Sequence, residues 1–165
     1  MAATRTLATL DADDRALAQA ALAASEHAYA PYSGYAVGAA LRTRAGTVYT
    51  GCNVENAAYG MTLCAEVGAL AAANGAGAGD AVQVIAVTGR RLASGAVQTT
   101  AVVTPCGRCR QLILEAGHRA RRDIRVLCCS HDLSHVQAFT IAQLLPHGFG
   151  PASLGKGRSP PRRSR

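Results

Sequence analysis

The sequence predicts an α/β fold in which helices pack on both faces of one mixed sheet of about five strands, a three-layer α/β/α sandwich. Segments rich in Val, Tyr and Thr alternate along the chain with segments whose apolar residues recur every three or four positions. The chain has 165 residues, enough for one compact domain with a core and too few for two ordinary domains. We therefore expect a single domain.

The first predicted element is a helix near the N-terminus. Asp11 can cap it, because an Asp side chain accepts hydrogen bonds from the free amide groups of a first helical turn. Pro31 would end it. The residues expected on its buried face are Leu17, Ala20, Ala21, Ala24 and Ala28.

A hairpin and a second helix come next. The hairpin would pair residues 35–43 with residues 47–53, two extended segments joined by a short loop through Gly46. The second helix begins near Cys64, runs through alanines and ends at Asn74 and Gly75.

The second half of the chain continues the alternation. Pro105 marks the turn into a third helix, and Gly117 is expected to end that helix. In order, the predicted elements are strands over 82–88 and 97–104, a helix over 106–115, a strand over 124–129 and a short helix over 141–145.

The positive charge is concentrated at the C-terminus. The formal net charge is +7, but five cationic residues lie in the last eleven positions, which leaves only +2 for the rest. We expect one folded domain over residues 1–154 and a disordered basic tail over residues 155–165. Because the domain itself carries little net charge, we do not expect it to bind nucleic acid. Because Lys156 is the only lysine, a P-loop lysine or a Schiff-base lysine has no candidate within the domain.

The N-terminus resembles neither a secretory signal nor a transit peptide, and no apolar stretch approaches the roughly 20 residues of a membrane helix. We expect a soluble, cytoplasmic protein without a membrane partner. Thiols stay reduced in that compartment, so the six cysteines are better interpreted as metal ligands, catalytic groups or small core residues than as disulfides.

Three cysteines fall at the starts of two predicted helices. Cys64 opens the second helix, and Cys106 and Cys109 lie three residues apart on one face of the third. The positive ends of the two helices can converge and hold three thiolates around one Zn²⁺ per chain. Three protein ligands leave a fourth position open to water, which is typical of a catalytic zinc.

Glu66 lies in the same first turn as Cys64 and can exchange protons with that water without binding the metal. Zinc deaminases combine a Cys or His ligand, a glutamate two residues later and a P-C-x-x-C sequence. Here the two parts are Cys64-Ala65-Glu66 and Pro105-Cys106-Gly107-Arg108-Cys109. The pattern predicts a zinc-dependent deaminase.

Five ordered blocks carry a more specific resemblance: AYAPYSGYAVGAAL, GCNVENAAYG, CAE, PCGRCRQLILE and LLPHGFGPASL. Across residues 28–154 the chain resembles the small homotetrameric zinc-dependent cytidine deaminases, in an actinobacterial-like form. The resemblance implies hydrolytic deamination of cytidine and deoxycytidine to uridine and deoxyuridine, a step of pyrimidine salvage.

The same resemblance implies roles for individual residues. Asn53 and Glu55 would bind the ribose 3′-hydroxyl, and Tyr35 would line the ribose side of the pocket. Ala65 and Glu66 would read the amide-like edge of the pyrimidine.

The resemblance also implies a homotetramer with shared active sites. Tyr59 and Phe149 would reach each site from neighbouring subunits, with Phe149 stacking on the base. One position departs from the pattern: many relatives carry an arginine after the catalytic glutamate, where this chain has Val67. Helix N-termini, Arg108 or Arg110 would have to compensate for the missing charge near the thiolates.

Alternatives remain open on sequence grounds. Cys52, Cys128 and Cys129 are interpreted as small buried residues, although a rival zinc site could be built from Cys128, Cys129, His131 and His135. A deaminase of another aminopyrimidine, such as blasticidin S, would share the PCGRCRQ block. A nucleic-acid-binding protein with structural zinc is the alternative from a different functional class.

Overall fold

The structure is a computed structural model that describes residues 4–92 and 100–155. Its strands are β1 (Thr4–Arg5), β2 (Tyr35–Thr43), β3 (Val48–Cys52), β4 (Val82–Arg91), β5 (Arg125–Cys129) and β6 (Val136–Thr140). Its α-helices are α1 (Ala12–Ala24), α2 (Ala65–Gly75), α3 (Gly107–Ala120) and α4 (Ile141–Leu144). Short 3₁₀ turns occupy Leu7–Thr9, Ser25–His27, Tyr59–Met61 and Pro151–Leu154.

The strands form one mixed sheet in the order β1-β6-β5-β4-β2-β3. β4 and β5 are parallel, and the other neighbouring strands are antiparallel. Since β1 contributes only two residues at one edge, the body of the sheet has the predicted five strands. The predicted fold class is confirmed.

Side chains alternate between the two faces of the sheet and build two cores. One core packs α2, α3 and α4 against one face, with Leu41, Ile85 and Val126 at its centre. The other packs α1 against the opposite face, where Leu17 meets Val84 and Leu127. This arrangement is the expected three-layer sandwich.

Two glycines allow the helices to lie close to the hairpin. A Cβ atom on Gly38 would come within 2.0 Å of the Ala21 carbonyl oxygen in α1. A Cβ atom on Gly51 would come within 2.4 Å of the Ala65 carbonyl oxygen in α2. Any larger residue at Gly51 would therefore displace the start of α2.

The ends of two predicted helices differ from expectation. Asp11 caps α1 as predicted, because its side chain accepts from the Asp14 backbone N–H, but α1 ends at Ala24 and continues only as the 3₁₀ turn. The Ser25 hydroxyl donates to the Leu22 carbonyl at 2.7 Å in that last turn. Gly117 does not end α3, which extends to Ala120. Gly117 is buried there, where a Cβ atom would meet the Arg122 carbonyl oxygen at 2.8 Å.

The strand predicted over 97–104 is wrong for its described part. Residues 97–99 lie outside the described residues, and residues 100–104 have no regular secondary structure. β4 and β6 already flank β5, so no position is left for another strand there. Val102 and Val103 instead pack against the core under α2 and α3, and the Val103 N–H donates to the Cys129 carbonyl at the end of β5, at 3.1 Å. β6, which the sequence patterns did not reveal, occupies the other flank.

The domain boundary near residue 154 stays a prediction. Residues 156–165 of the expected disordered tail lie outside the described residues, whereas Gly155 is described as a turn residue with φ of +65°. Among the described residues, no helix combines the length and hydropathy needed to cross a bilayer.

Candidate metal centre

The metal centre lies where the N-termini of α2 and α3 converge. Cys64 and Cys106 occupy the N-cap positions of the two helices. The Cys64 side chain makes no hydrogen bond to the first turn of α2, whereas a hydrogen bond from the Cys109 backbone N–H helps to lower the pKa of the Cys106 thiol. Cys109 lies in the first turn of α3 and is fully buried. The three Sγ atoms lie within 4.8 Å of one another, and Cys64 and Cys106 are 3.9 Å apart.

The donor set fits zinc. Tetrahedral coordination with Zn–S bonds of about 2.3 Å separates the sulfurs by roughly 3.8 Å, close to the observed Cys64–Cys106 distance. Burial raises the pKa of the Cys64 and Cys109 thiols, so a cation between the sulfurs is needed to hold them ionised at neutral pH. All six cysteines are free thiols, as expected.

The rival cysteine and histidine set is not brought together. Cys128 packs in the core under α2 and α3, while Cys129 packs in the core under α1, on the opposite face of the sheet. Burial raises the pKa of each thiol to about 12. In the described part of the chain, the three-cysteine cluster is the one group of at least three Cys, His, Asp or Glu side chains placed to hold a metal ion. Cys52 is half-buried, not fully buried as expected, and its thiol donates to the His27 carbonyl at 3.3 Å.

Glu66 lies beside the cluster, in the first turn of α2, with only 4% of its surface exposed. Burial raises the pKa of its carboxyl group, while hydrogen bonds from its own backbone N–H and from the Cys109 thiol act in the opposite direction. A buried carboxyl group with a raised pKa, adjacent to three thiols that could hold a metal ion, is suited to accept and return a proton.

Asn53 and Glu55 hold the loops beside this centre. The Asn53 side chain is buried, accepts from the Val37 N–H at 2.8 Å and donates to the Tyr35 carbonyl at 2.9 Å. Glu55 accepts from the Tyr32 and Ser33 N–H groups at 2.9 and 3.2 Å.

Hydrogen bonding keeps Glu55 ionised. A hydrogen bond from the Ser33 side chain, together with those two backbone N–H groups, lowers its pKa, although burial acts in the opposite direction. Tyr35 is half-buried beside Gly89, and burial raises the pKa of its hydroxyl. Sequence reasoning did not identify the backbone amides of Tyr32 and Ser33 as partners of Glu55, because every residue except proline has such an amide and residue type does not show which one is used.

The side chains of the two predicted aromatic residues are largely exposed. Tyr59 is 75% exposed and contacts Tyr32 edge to face, with ring centroids 6.0 Å apart. Phe149 is 60% exposed, and its carbonyl accepts from the Gln111 side chain at 2.6 Å. The chain then runs along α3 towards His118, away from the end that carries Cys106.

Neither arginine near the cysteines donates to sulfur in the described hydrogen bonds. Arg110 donates to the carbonyls of Pro105 and Leu144 at 2.8 and 3.1 Å. Arg108 donates to the Thr62 carbonyl at 3.3 Å, linking the start of α3 to the loop before α2. These bonds position the loops and do not supply the compensating contact expected for the missing arginine.

Val67 faces the groove between α2 and α3, where Leu70, Leu112 and Ala116 also line a cavity of about 290 Å³. An apolar residue suits this groove. Residue 67 therefore brings no positive charge towards the thiolates.

Comparisons with known proteins agree with this geometry. Residues 11–122 match the family model described as the cytidine and deoxycytidylate deaminase zinc-binding region. The cytidine deaminase of Mycobacterium tuberculosis is 38% identical over 90% of this chain and 98% of its own length. That of Halalkalibacterium halodurans is 38% identical over 83% and 94%. The crystal structure of the Burkholderia pseudomallei cytidine deaminase superposes with a TM-score of 0.70 at 42% identity, covering 81% of this chain and 97% of that one.

Proposed function

Because the chain belongs to the cytidine and deoxycytidylate deaminase zinc-binding family, we propose that it hydrolyses cytidine and deoxycytidine to uridine and deoxyuridine, with release of ammonia. The observation that carries this proposal is the convergence of three Sγ atoms within 4.8 Å of one another, beside the buried carboxyl group of Glu66. The reaction would serve pyrimidine salvage in the cytoplasm, where the ligand thiols stay reduced.

Cys64, Cys106 and Cys109 would hold one zinc ion per chain. Zinc, when bound, would act as a Lewis acid and lower the pKa of a water molecule in its fourth coordination position. The three side chains arise from two helix N-termini, whose partial positive charge favours their ionised form.

Glu66 would be the catalytic proton carrier. Its carboxylate takes a proton from the attacking water and delivers it to the pyrimidine ring nitrogen N3 as the water oxygen adds to C4. It then takes the remaining proton of that oxygen and passes it to the amine, so that the C4 carbonyl forms as ammonia leaves. Burial beside the cysteines excludes bulk water from competing for these transfers and makes the carboxylate a stronger base than an exposed glutamate.

Ala65 would read the pyrimidine through its backbone together with Glu66. As the first residue of α2, its N–H group has no partner within the helix and is available to an acceptor on the base. Its side chain is fully buried against the hairpin, which fixes the direction of that backbone group.

Asn53, Glu55 and Tyr35 would form the ribose side of the pocket. Asn53 keeps one amide hydrogen and one lone pair beyond its two bonds to β2, and Glu55 is an ionised acceptor. A substrate without the sugar hydroxyl would leave these polar groups without their partner, which penalises free cytosine.

Assembly into a homotetramer would complete each site. In a single chain Cys106 is exposed, and the rings of Tyr59 and Phe149 are left largely in solvent. A neighbour's Tyr59 and Phe149 could cover the mouth of the pocket, the ring of Phe149 stacking on the base. This placement agrees with the course of residues 148–150 along α3, away from the cysteines of their own chain.

Ammonia release from a substrate panel tests the proposal. The panel is cytidine, deoxycytidine, cytosine, CMP, adenosine and blasticidin S, with purified protein of measured zinc content. We expect turnover of the two nucleosides and none of free cytosine. Turnover of blasticidin S alone would identify a different aminopyrimidine substrate, and a zinc-loaded protein inactive on the whole panel would indicate a structural metal.

A further inference from the structure

A second polar site lies at the end of the sheet opposite the cysteines. In the register of the three central strands, Arg42 pairs with Val84, and Val84 pairs with Arg125. The two arginines therefore flank Val84 on the face covered by α1, about 10 Å apart at the backbone. The metal centre lies at the other end of the sheet. Glu66, beside that centre, is close enough to Cys128 to raise the pKa of its thiol, and Cys128 lies near the end of β5, whereas Arg125 begins that strand.

One buried carboxylate joins the two arginines. Asp14 of α1 is 2% exposed, and its Oδ1 accepts from Arg42 Nη2 at 3.1 Å while its Oδ2 accepts from Arg125 Nη2. A single negative charge between two guanidinium groups leaves one positive charge uncompensated. Each guanidinium also retains N–H donors beyond the one that it gives to Asp14.

Arg42 and Arg125 line a cavity of about 340 Å³. The other residues that line it are Gln83, Val84, Arg122 and Asp123. Asp123 brings a negative charge to this lining, and its Oδ1 accepts from the Ala142 N–H at 3.0 Å in the first turn of α4. Three arginines still outnumber the two carboxylates, Asp14 and Asp123. Arg122 is exposed and adds a third guanidinium to the rim. Arg42 Nη1 is buried, and no acceptor in the described part of the chain lies within hydrogen-bond reach of it.

A cavity lined by three arginines offers positive charge and N–H donors to one small anion. Planar guanidinium groups match the oxygens of phosphate better than a point charge does, because each can donate two parallel hydrogen bonds. We propose that this cavity is a binding site for a phosphate group, held by Arg42, Arg122 and Arg125. It is separate from the deaminase centre.

Isothermal titration of the zinc-loaded protein with inorganic phosphate, tripolyphosphate and ATP tests the proposal, each at constant ionic strength set with sodium chloride. We expect saturable binding at one site per chain. Binding of ATP no tighter than tripolyphosphate would assign the site to free phosphates, and tighter binding of ATP would assign it to a nucleotide.

Arg122→Gln is the decisive variant, because its exposed side chain is not part of the Asp14 pairing, and we expect about ten-fold weaker binding from the loss of charge-assisted hydrogen bonds. Arg42→Gln should weaken binding similarly. Arg44→Gln is the matched control, since it removes the same charge from an exposed residue outside the cavity and should change affinity less than two-fold. The absence of saturable binding, equal weakening by Arg44→Gln and Arg122→Gln, or displacement of the anion by cytidine or uridine would each overturn the proposal.

Discussion

Val54 and Leu63 pair through two backbone hydrogen bonds of 2.9 Å, in an isolated antiparallel bridge. Val54 lies between Asn53 and Glu55, and Leu63 directly precedes Cys64. The bridge therefore joins the proposed ribose-binding segment to the first proposed zinc ligand. We expect a displacement of either segment to shift both the ribose-binding residues and Cys64.

Substitution of Asn53 should affect both stability and substrate choice. Asn53→Ala removes two hydrogen bonds of a buried side chain to β2, so we expect a loss of about 1–3 kcal/mol in the free energy of unfolding. We also expect a smaller ratio of cytidine to cytosine kcat/KM. Glu55→Gln is the matched variant, since it keeps an acceptor for the Tyr32 and Ser33 amides and should lower that ratio with less effect on stability. Chemical denaturation and steady-state kinetics measure both, and an unchanged ratio in both variants would exclude the ribose-reading role.

Removal of a cysteine ligand should remove the metal. We expect one zinc per chain in the parent protein and strongly reduced zinc in Cys64→Ala, Cys106→Ala and Cys109→Ala, measured by elemental analysis. Cys128→Ala and Cys129→Ala are the controls, because both thiols are buried and neither belongs to the three-cysteine cluster. Full zinc retention in all three ligand variants would contradict the assignment of the centre.

Glu66→Gln should separate chemistry from metal binding. The amide cannot take a proton from water, so we expect kcat to fall by about 10²–10⁴-fold while zinc content and melting temperature stay near those of the parent. Glu115→Gln, on the exposed side of α3, is the control and should retain activity. Near-normal turnover by Glu66→Gln would mean that another group carries the proton.

The loop between β5 and β6 should contribute a pH-dependent part of the stability. Hydrogen bonds from the Ser134 and Ser130 hydroxyls, each 2.7 Å long, and from the Ser134 N–H hold the pKa of Asp132 well below its usual range. A lowered folded-state pKa stabilises the fold above the unfolded-state pKa of about 3.9, and this stabilisation is lost as pH falls towards the folded-state value. Asp132→Asn should therefore unfold more easily than the parent at pH 7, with a difference that narrows below about pH 4.

Urea denaturation across this pH range measures that difference. Ser134→Ala should show an intermediate effect, because it removes one of the two hydroxyl donors. A difference between parent and Asp132→Asn that stays constant from pH 7 to pH 3 would show that the hydrogen bonds do not favour the ionised form.

Mixed oligomers test whether Phe149 acts in a neighbouring subunit. Glu66→Gln and Phe149→Ala chains, each weak alone, should regain activity when unfolded together and refolded with zinc, since some sites then receive an intact Glu66 and an intact neighbouring Phe149. Chains refolded separately and then mixed are the control and should stay weak while subunits exchange slowly. Sizing and metal analysis establish beforehand that both variants assemble. Activity no greater than the average of the two parents would place Phe149 in its own chain's site or outside catalysis.

The fold class and the metal cluster were accessible to sequence reasoning because each rests on local patterns. Val, Tyr and Thr enrichment identified β2 and β4, and the cysteine spacing placed the ligands at two helix starts. The strand expected over 97–104 was wrong because the choice of neighbours for β5 is a long-range property of the sheet. The helix end expected at Gly117 was wrong for a similar reason. Glycine is needed there because the Arg122 carbonyl packs against it, and that contact depends on the path of the chain after α3.

Roles that depend on distant backbone groups were also beyond sequence reasoning. Arg110 was one of three candidates to compensate for the missing charge near the thiolates, yet its partners include the Leu144 carbonyl, 34 positions away. The two bonds of Asn53 to β2 were hidden for the same reason, because residue type shows that an amide can bond but not which groups it meets.

The use of cysteine at the caps of α2 and α3 implies a trade between stability and activity. Ser, Thr, Asp or Asn at such a position usually contributes about 0.5–2 kcal/mol by accepting from a first-turn amide. Cys64 makes no such bond, and the sulfur of Cys106, which accepts from the Cys109 N–H, is a weaker acceptor than oxygen. Selection for thermal tolerance alone would favour an oxygen-bearing residue at both positions, and only the benefit of a functioning metal opposes it. A zinc-depleted protein should therefore be stabilised by Cys64→Asp or Cys106→Asp, and a lineage released from selection for catalysis should lose these two cysteines early.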